Sequence, residues 1–245
     1  GGLKVDGPPL DKHLMSYVGA FRVPYVHGLT IGELALMAKH IPGWLEVPES
    51  VRQRGKLYVV PMRGWRRDML WSQTGLRWTP PSPAIPDLSA AVGYSMTGLG
   101  CQLGDFRHGY GQGAPFRLLS YPGKSPQQLA YTLNALSLPG VEFRPLPDWR
   151  EQQGVYVVVN DWEKLKPTAL SFYLMRLAAS WGDENPFAAA SKGKARLFNI
   201  HVGSQAWWEE LTTRGKRARV ETFLKEWDAR AKEYQRWSKH YWLYE

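Results

Sequence analysis

Between residues 98 and 113 the chain places glycine at 98, 100, 104, 109, 111 and 113. No helix or core strand tolerates that density, because glycine costs backbone entropy in either. What it offers is freedom from side-chain bulk and access to positive φ, so the backbone can turn tightly and approach other groups closely. Asp105, Arg107, His108, Tyr110 and Gln112 are interleaved with these glycines in the stretch Tyr94–Pro122. The segment is also too poor in serine and proline to be a simple linker. Ordered loops of this length are binding loops or crossovers between two halves. A functional loop is the leading expectation, with a structural crossover as its rival.

A chain of 245 residues can bury a sizeable core and fits one large or two small domains. Hydrophobic residues make up 44% and charged residues 22%, a balance that excludes intrinsic disorder. No run of about 18 apolar residues occurs, so no membrane span is expected. The lone cysteine, Cys101, cannot form an internal disulfide, which suits the cytoplasm and equally an exported bacterial protein that uses none. The opening Gly1-Gly2 without methionine implies a processed form or a fragment, so the missing signal peptide does not argue against export. Net charge is +9, concentrated before residue 100 and after residue 190. Such a surplus suits nucleic acid, anionic lipid or an acidic wall polymer. The 12 tryptophans and 12 tyrosines suit stacking on bases or on the apolar faces of sugars. No RNA-binding signature, zinc-ligand spacing or P-loop accompanies them. Neither cofactor nor metal is expected, and nucleic acid is not the expected partner.

Along the chain, Thr30 and Glu33 form a T-x-x-E box that starts a helix over residues 31–40, stopped by Pro42. His27 lies just outside that start. Lys56–Met62, KLYVVPM, reads as a buried strand, leading into the turn that carries Trp65 and Arg66, where ligands gather in α/β units. Trp78–Pro86 holds four prolines around Ser82 and is irregular. Residues 87–94 then form a short helix. A second half restarts with a strand over 116–120, a helix capped by Ser125 with Pro126 in its first turn, strands over 141–144 and 155–159, and a buried helix after Pro167. Ser204 caps a helix bearing Trp207 and Trp208, and a final amphipathic helix begins near Val220. The basic cluster Arg214, Lys216, Arg217 and Arg219 reads as a solvated face.

Glycoside hydrolysis needs two carboxyl groups, one of them able to hold its proton near neutral pH. Asp105, Glu142, Asp148 and Asp161 sit beside glycines or strand ends, and no spacing singles out a pair. No G-x-S-x-G elbow exists. Cys101 with His108 or His201 is a conceivable nucleophilic pair, against the commoner state of a buried, inert thiol.

The residues GGLKVDGPPLD, VPYVHGLTIGELA, MRGWRR, W-x-P-P-S-P-x-I-P, NALSLPGVEFRP and the ending HYWLYE together resemble the NamZ-type family of exo-β-N-acetylmuramidases. The match runs collinearly along almost the whole chain. The resemblance implies an α/β fold, in which residues 1–95 close a Rossmann-like domain and residues 96–245 form a smaller α+β domain with a C-terminal helix. It implies a peptidoglycan-derived sugar as substrate, and release of terminal N-acetylmuramic acid as the reaction. An upstream Rossmann-like half would carry the catalytic glutamate, so the catalytic residues of this chain are unknown. The alternative is a non-catalytic carbohydrate- or partner-binding module. The implied binding residues are His27, Thr30, Glu33, Trp65, Arg66, Ser82, Asp105, Arg107, Gly109, Tyr110 and Gly111. Two departures stand out: Gln102 replaces an acidic family position, and Tyr110 replaces an arginine between glycines. The implied location is secreted or periplasmic in a bacterium, with the cytoplasm as the other possibility.

Overall fold

Thr30 accepts a hydrogen bond at Oγ1 from the Glu33 amide (3.3 Å), and Glu33 Oε2 accepts one from the Thr30 amide (2.8 Å). Two orphan amides of helix α1 (Ile31–His40) are thereby satisfied reciprocally, as the T-x-x-E spacing predicts. The computed structural model describes residues 2–149 and 152–245, and assigns them to two units. The first unit comprises Gly1–Arg77, Asn199–Gln205 and Phe223–Glu245; the second comprises Trp78–Phe198 and Ala206–Thr222. The fold is mixed α/β, with small antiparallel sheets and many helices.

In the first unit, β1 (Asp6–Pro9) pairs antiparallel with β2 (Pro24–Val26). Helix α1 follows, then the short α2 (Glu49–Arg54), which the sequence did not signal. It follows Pro48 and is stabilised by Glu49, which accepts from Arg52 and Gln53 one turn on. Lys39 of α1 donates to the carbonyls of Arg52 (2.8 Å) and Gln53 (2.9 Å) at its end. Much of helix α8 (Val220–Ser238) belongs to this unit, where Trp237 packs on Trp44 with ring centroids 5.4 Å apart.

The expected strand at Lys56–Met62 is corrected. Residues 55–62 adopt no helix, strand or turn, and most are exposed. The β-prone, continuously apolar composition is present, but the neighbouring strands such a run requires are not among the described residues.

The second unit opens with the proline-rich stretch and α3 (Leu88–Gly93), capped by Asp87, whose Oδ1 accepts from the Ala90 amide (2.7 Å). Its sheet has the order β3-β5-β4: β3 (Leu118–Leu119), β5 (Gln152–Val159) and β4 (Val141–Trp149), all antiparallel. Register runs from Val141 opposite Val159 to Leu146 opposite Gly154. Val155 and Val157 are fully buried on one face, the period of two expected of a half-buried strand. Helix α4 (Pro126–Asn134) starts on the Ser125–Gln128 capping box and packs on β4 and β5. Asn134 clamps β4 by donating to the Phe143 carbonyl (2.8 Å) and accepting from its amide (3.0 Å). Gly140, at φ +77°, has no room for a Cβ against the Asp161 carbonyl. The NALSLPGVEF motif is thus accounted for by strand docking and a turn.

Helix α5 (Ala169–Trp181) is buried along nearly its whole length, as its all-round apolar sequence predicts. Ser171, its buried hydroxyl, donates to the Met96 carbonyl (2.8 Å). Helix α6 (Lys192–Val202) divides its residues between the two units. Helix α7 (Gln205–Arg214) brings Trp207 against Phe172, edge to face at 5.2 Å, with its indole N–H on Met175 Sδ (3.1 Å). Two members of the expected solvated basic face have an internal partner. Glu210 accepts from the Arg219 amide and guanidinium at 2.7–2.9 Å and pairs with Arg214 at 3.5 Å. Among the described residues, no helix is long and apolar enough to cross a membrane.

Candidate functional site

The residues expected at a site fall into two sets, one in each unit. In the first unit, His27 accepts at Nδ1 from the Leu29 amide (3.1 Å). Burial pushes its pKa down, while the nearby Glu33 carboxylate pulls the other way. Thr30 is the cap described above. Glu33 is fully buried, and both of its oxygens are engaged. One accepts from Arg67 and from the Leu243 amide (2.8 Å), the other from the Thr30 amide.

Arg67 is the residue that the sequence reading missed. The GWRR run contains two adjacent arginines, and Arg66 was the one expected to meet a ligand. Arg66 is exposed and lies 3.3 Å from Asp68. Arg67 turns inward, completely buried, and donates to the carbonyls of Gly28 (2.7 Å), Gly2 (3.3 Å) and Tyr244 (3.4 Å) as well as to Glu33. Its guanidinium lies 3.8 Å from the centre of the Trp242 ring, a close cation–π contact. Trp65 stands edge-on to Tyr244 at 4.8 Å. Thr30, Glu33 and Trp65 therefore have clear structural tasks in joining α1, the GWRR turn and the chain end.

In the second unit, Ser82 accepts at Oγ from the Ala84 amide (3.2 Å) inside the proline-rich turn. The glycine-rich loop follows α3 through a π-helical turn at Tyr94–Gly98. Its backbone is fastened by an isolated bridge, Arg107 to Ser120 and back (2.9 and 3.1 Å). The Thr97 hydroxyl adds a bond to the Phe116 carbonyl (2.9 Å). Gly109 sits at φ +67°, with the Ala114 carbonyl where a Cβ would go. Gly111 also has positive φ (+75°), but open space surrounds it. Gly109→Ala should therefore cost about 2–4 kcal/mol, strain plus a backbone clash, and Gly111→Ala only about 1 kcal/mol. Urea midpoints of the two variants check this.

Three of the expected residues face solvent from this loop: Asp105, Arg107 and Tyr110. Among the described residues the Arg107 guanidinium has no partner. Asp105 holds an unusual φ of +61° for a non-glycine residue. Inside the loop are two groups that the expected site omitted. Among the described residues, both ring nitrogens of His108 and Gln102 Oε1 are buried with no partner at hydrogen-bonding geometry, the Thr97 backbone lying near the imidazole but outside that geometry. Burial pushes the His108 pKa down to about 4, against a weaker upward pull from the Thr97 backbone, so the ring is neutral at pH 7. An unpaired buried polar atom costs about 1–3 kcal/mol, and few are left without a role in native folds. The available signal was that His108 is the one histidine of the glycine-rich stretch. The Cys101 thiol is pushed up by burial, opposite to what a nucleophile needs.

Two of the carboxylates raised as acid or base candidates have other duties, while Asp105 is exposed on the loop. Glu142 pairs with Arg144 (2.9 Å), and Asp161 caps the turn to Lys164 (3.2 Å) while pairing with its ammonium (3.0 Å). These contacts hold both carboxyls below the usual range, the wrong direction for a general acid. The Asp148 side chain lies outside the described residues. Among the described residues no three His, Cys, Asp or Glu side chains gather as a metal site.

Comparison with known proteins puts this arrangement in a family. Residues 1–89 match the family described as exo-beta-N-acetylmuramidase NamZ, N-terminal, and residues 92–244 match its C-terminal counterpart. The peptidoglycan beta-N-acetylmuramidase NamZ of Bacillus subtilis (strain 168) is 33% identical over 174 residues, covering 68% of this chain and 40% of that protein. A solved DUF1343 family protein from Bacteroides fragilis NCTC 9343 is 35% identical with a TM-score of 0.85, covering 100% of this chain and 64% of that one. A second DUF1343 family protein from the same strain shares the fold, at 23% identity and a TM-score of 0.65, over 100% of this chain and 63% of its own. The chain thus spans less than two thirds of the length of each of these relatives. With both family descriptions matched in order along its length, the chain belongs to the NamZ family of exo-beta-N-acetylmuramidases.

Proposed function

We propose that this chain is the sugar-reading part of a glycosidase that removes terminal N-acetylmuramic acid from peptidoglycan fragments. The observation that carries the reading is the glycine-rich loop. It presents the exposed side chains of Arg107 and Tyr110, Arg107 without a partner among the described residues, and just within it lie His108 and Gln102 with unused hydrogen-bonding capacity. Muramic acid carries a lactyl carboxylate, an acetamido group and an apolar ring face. A guanidinium takes the carboxylate through paired hydrogen bonds, and a flat aromatic ring takes the sugar face. A neutral imidazole can offer one N–H and one acceptor to hydroxyl or amide groups.

Catalysis requires two carboxyl groups flanking the glycosidic bond. Among the described candidate side chains, Glu142 and Asp161 are committed to a cap and ion pairs and Asp105 alone stands exposed on the loop, one short of a pair, which favours supply of the catalytic carboxyls by a Rossmann-like α/β portion in addition to these residues. A substrate drawn from the cell wall suits a protein that works outside the cytoplasm, the cytoplasm being the other location if the fragments are imported. A second reading, a carbohydrate-binding module without activity, is favoured by the same commitment of carboxylates.

The deciding experiment measures release of N-acetylmuramic acid from a chromogenic muramide, alongside calorimetric binding of N-acetylmuramic acid. Binding with release once the α/β portion is joined supports the enzyme reading; binding without release in either form supports the module. Arg107→Ala should weaken binding about 10- to 100-fold, the worth of a charged hydrogen-bonded pair, and Arg107→Lys should recover only part of it. Unchanged affinity in Arg107→Ala, or no binding by the unmodified chain, removes the reading.

A further inference from the structure

Phe106, Tyr121 and Trp181 reach one place from three parts of the second unit: the glycine-rich loop, the turn after β3 and the last residue of α5. Their ring centroids lie 4.9 Å apart for Phe106–Tyr121, 4.9 Å for Tyr121–Trp181 and 5.7 Å for Phe106–Trp181. Rings packed in this way form a rigid apolar surface. Phe106 and Tyr121 are buried and Trp181 is half-buried, so Trp181 is the ring that reaches solvent. Polar groups stand around the cluster without pairing to one another. Asp105 precedes Phe106, is exposed at φ +61°, and accepts no hydrogen bond among the described residues, although a short acid in that conformation ordinarily bonds to nearby backbone. Its carboxylate is near enough to the Tyr121 hydroxyl to reinforce burial in pushing that pKa up. Among the described residues the Tyr121 hydroxyl and the Trp181 indole N–H have no hydrogen-bond partner, and neither atom is sealed from solvent. Lys124 holds its ammonium over the Trp181 ring, 5.0 Å from the centroid, and makes no ion pair among the described residues.

An aromatic floor rimmed by a carboxylate, a hydroxyl and an N–H matches a sugar ring. The C–H face lies on the arene, sugar hydroxyls donate to the carboxylate, and sugar oxygens accept from the O–H and N–H. The charges select the kind of sugar. Asp105 and Lys124 cancel, so this surface holds no surplus to attract an anion, and Asp105 needs hydroxyl donors that a carboxylate cannot supply. We propose that Phe106, Tyr121 and Trp181 are the floor of a contact for a neutral pyranose, with Asp105 accepting from its hydroxyls and the Tyr121 hydroxyl and Trp181 N–H completing the rim. Binding moves Lys124 off the Trp181 face. An exposed lysine–arene contact is weak, and the four-carbon stem is flexible. This contact lies beyond the functional reading above, which uses Arg107 and Tyr110 for muramic acid, and rests on it only for the choice of probe.

The probe is N-acetylglucosamine, which keeps the ring, hydroxyls and acetamido group of N-acetylmuramic acid and lacks the lactyl carboxylate. It is titrated into the full 245-residue chain while the tryptophan indole N–H signals are followed by NMR, the Trp181 signal being identified by its loss in Trp181→Phe. That signal should move and saturate with a dissociation constant of about 1–10 mM, the range of a single sugar on an open surface. Asp105→Asn keeps a residue type that tolerates positive φ, and Tyr121→Phe keeps the ring; each should weaken binding about 3- to 10-fold. Lys124→Ala should leave the affinity equal or about 2-fold tighter. Three results overturn the proposal. The first is a Trp181 signal unmoved at about 50 mM probe. The second is unchanged affinity in both Asp105→Asn and Tyr121→Phe. The third is loss of the shift in Lys124→Ala, which would make the ammonium, and not the rings, the ligand's holder. Muramic acid that fails to bind while the probe still shifts Trp181 removes the functional reading and leaves this contact standing; muramic acid that binds while the probe leaves Trp181 unmoved does the reverse.

Discussion

Replacing Arg67 with methionine should lower stability by about 3–5 kcal/mol, the usual cost of removing one partner from a buried ion pair. The loss goes beyond one contact, because Glu33 would be left buried without its cationic partner, keeping the hydrogen bonds from the Thr30 and Leu243 amides. Arg67 also caps the carbonyls of Gly2, Gly28 and Tyr244 and stacks on Trp242. Urea unfolding followed by tryptophan fluorescence reads the effect, with the midpoint falling at nearly constant slope. The double variant Glu33→Gln with Arg67→Met should recover part of the loss, since it removes the unpaired carboxyl group. Arg66→Met, on the exposed neighbour, should change stability by less than about 0.5 kcal/mol. Equal effects at the two arginines would contradict the assignment of Arg67 as the internal tie.

The second large effect concerns acid. His108 has an ordinary pKa of 6.5 when unfolded and about 4 when folded. Between those values the unfolded chain binds the proton more readily, so stability is full above pH 6.5, declines as pH falls, and levels off near pH 4. The loss attributable to this one ring reaches about 3 kcal/mol at the low end. His27, also lowered by burial but opposed by Glu33, adds a smaller contribution of the same sign. Measured from pH 7.5 to 4.5, His108→Leu should flatten most of the decline, and His27→Leu less. A His108→Leu variant with the full acid slope would show that the ring is hydrated or partnered when folded. If muramic acid uses the neutral ring, its binding to the folded protein should hold through that window and weaken only as pH falls to about 4 and below, where the folded ring takes up its proton.

Much of the local structure was legible because the signals act within a few residues. Thr30 with Glu33 is a capping box whose geometry follows from spacing alone, and Ser125 before Pro126 marks the start of α4 in the same way. The buried helix after Pro167 followed from its all-round apolar sequence. What was not legible depended on distant partners. KLYVVPM has the composition of a buried strand, yet composition cannot supply a ladder neighbour. Arg66 and Arg67 are identical in type and adjacent; only the position of Glu33, 34 residues earlier, decides which one turns inward. In the glycine-rich loop, spacing announced a tightly folded backbone but did not separate Gly109, packed on a carbonyl, from Gly111, open to solvent. The polar interior of that loop, His108 and Gln102, is a property of its folding and emerges only in three dimensions.

Arg67 has one more consequence. Its carbonyl accepts from the Gly2 amide at 3.0 Å and its amide donates to the Glu245 carbonyl at 2.7 Å, so the two extremities of the described chain are moored to the backbone of a single residue. A purification handle or fusion partner attached at either extremity would emerge beside the other. A circularly permuted version, with a few flexible residues bridging the old ends and new ones opened in an exposed turn, should keep the same architecture.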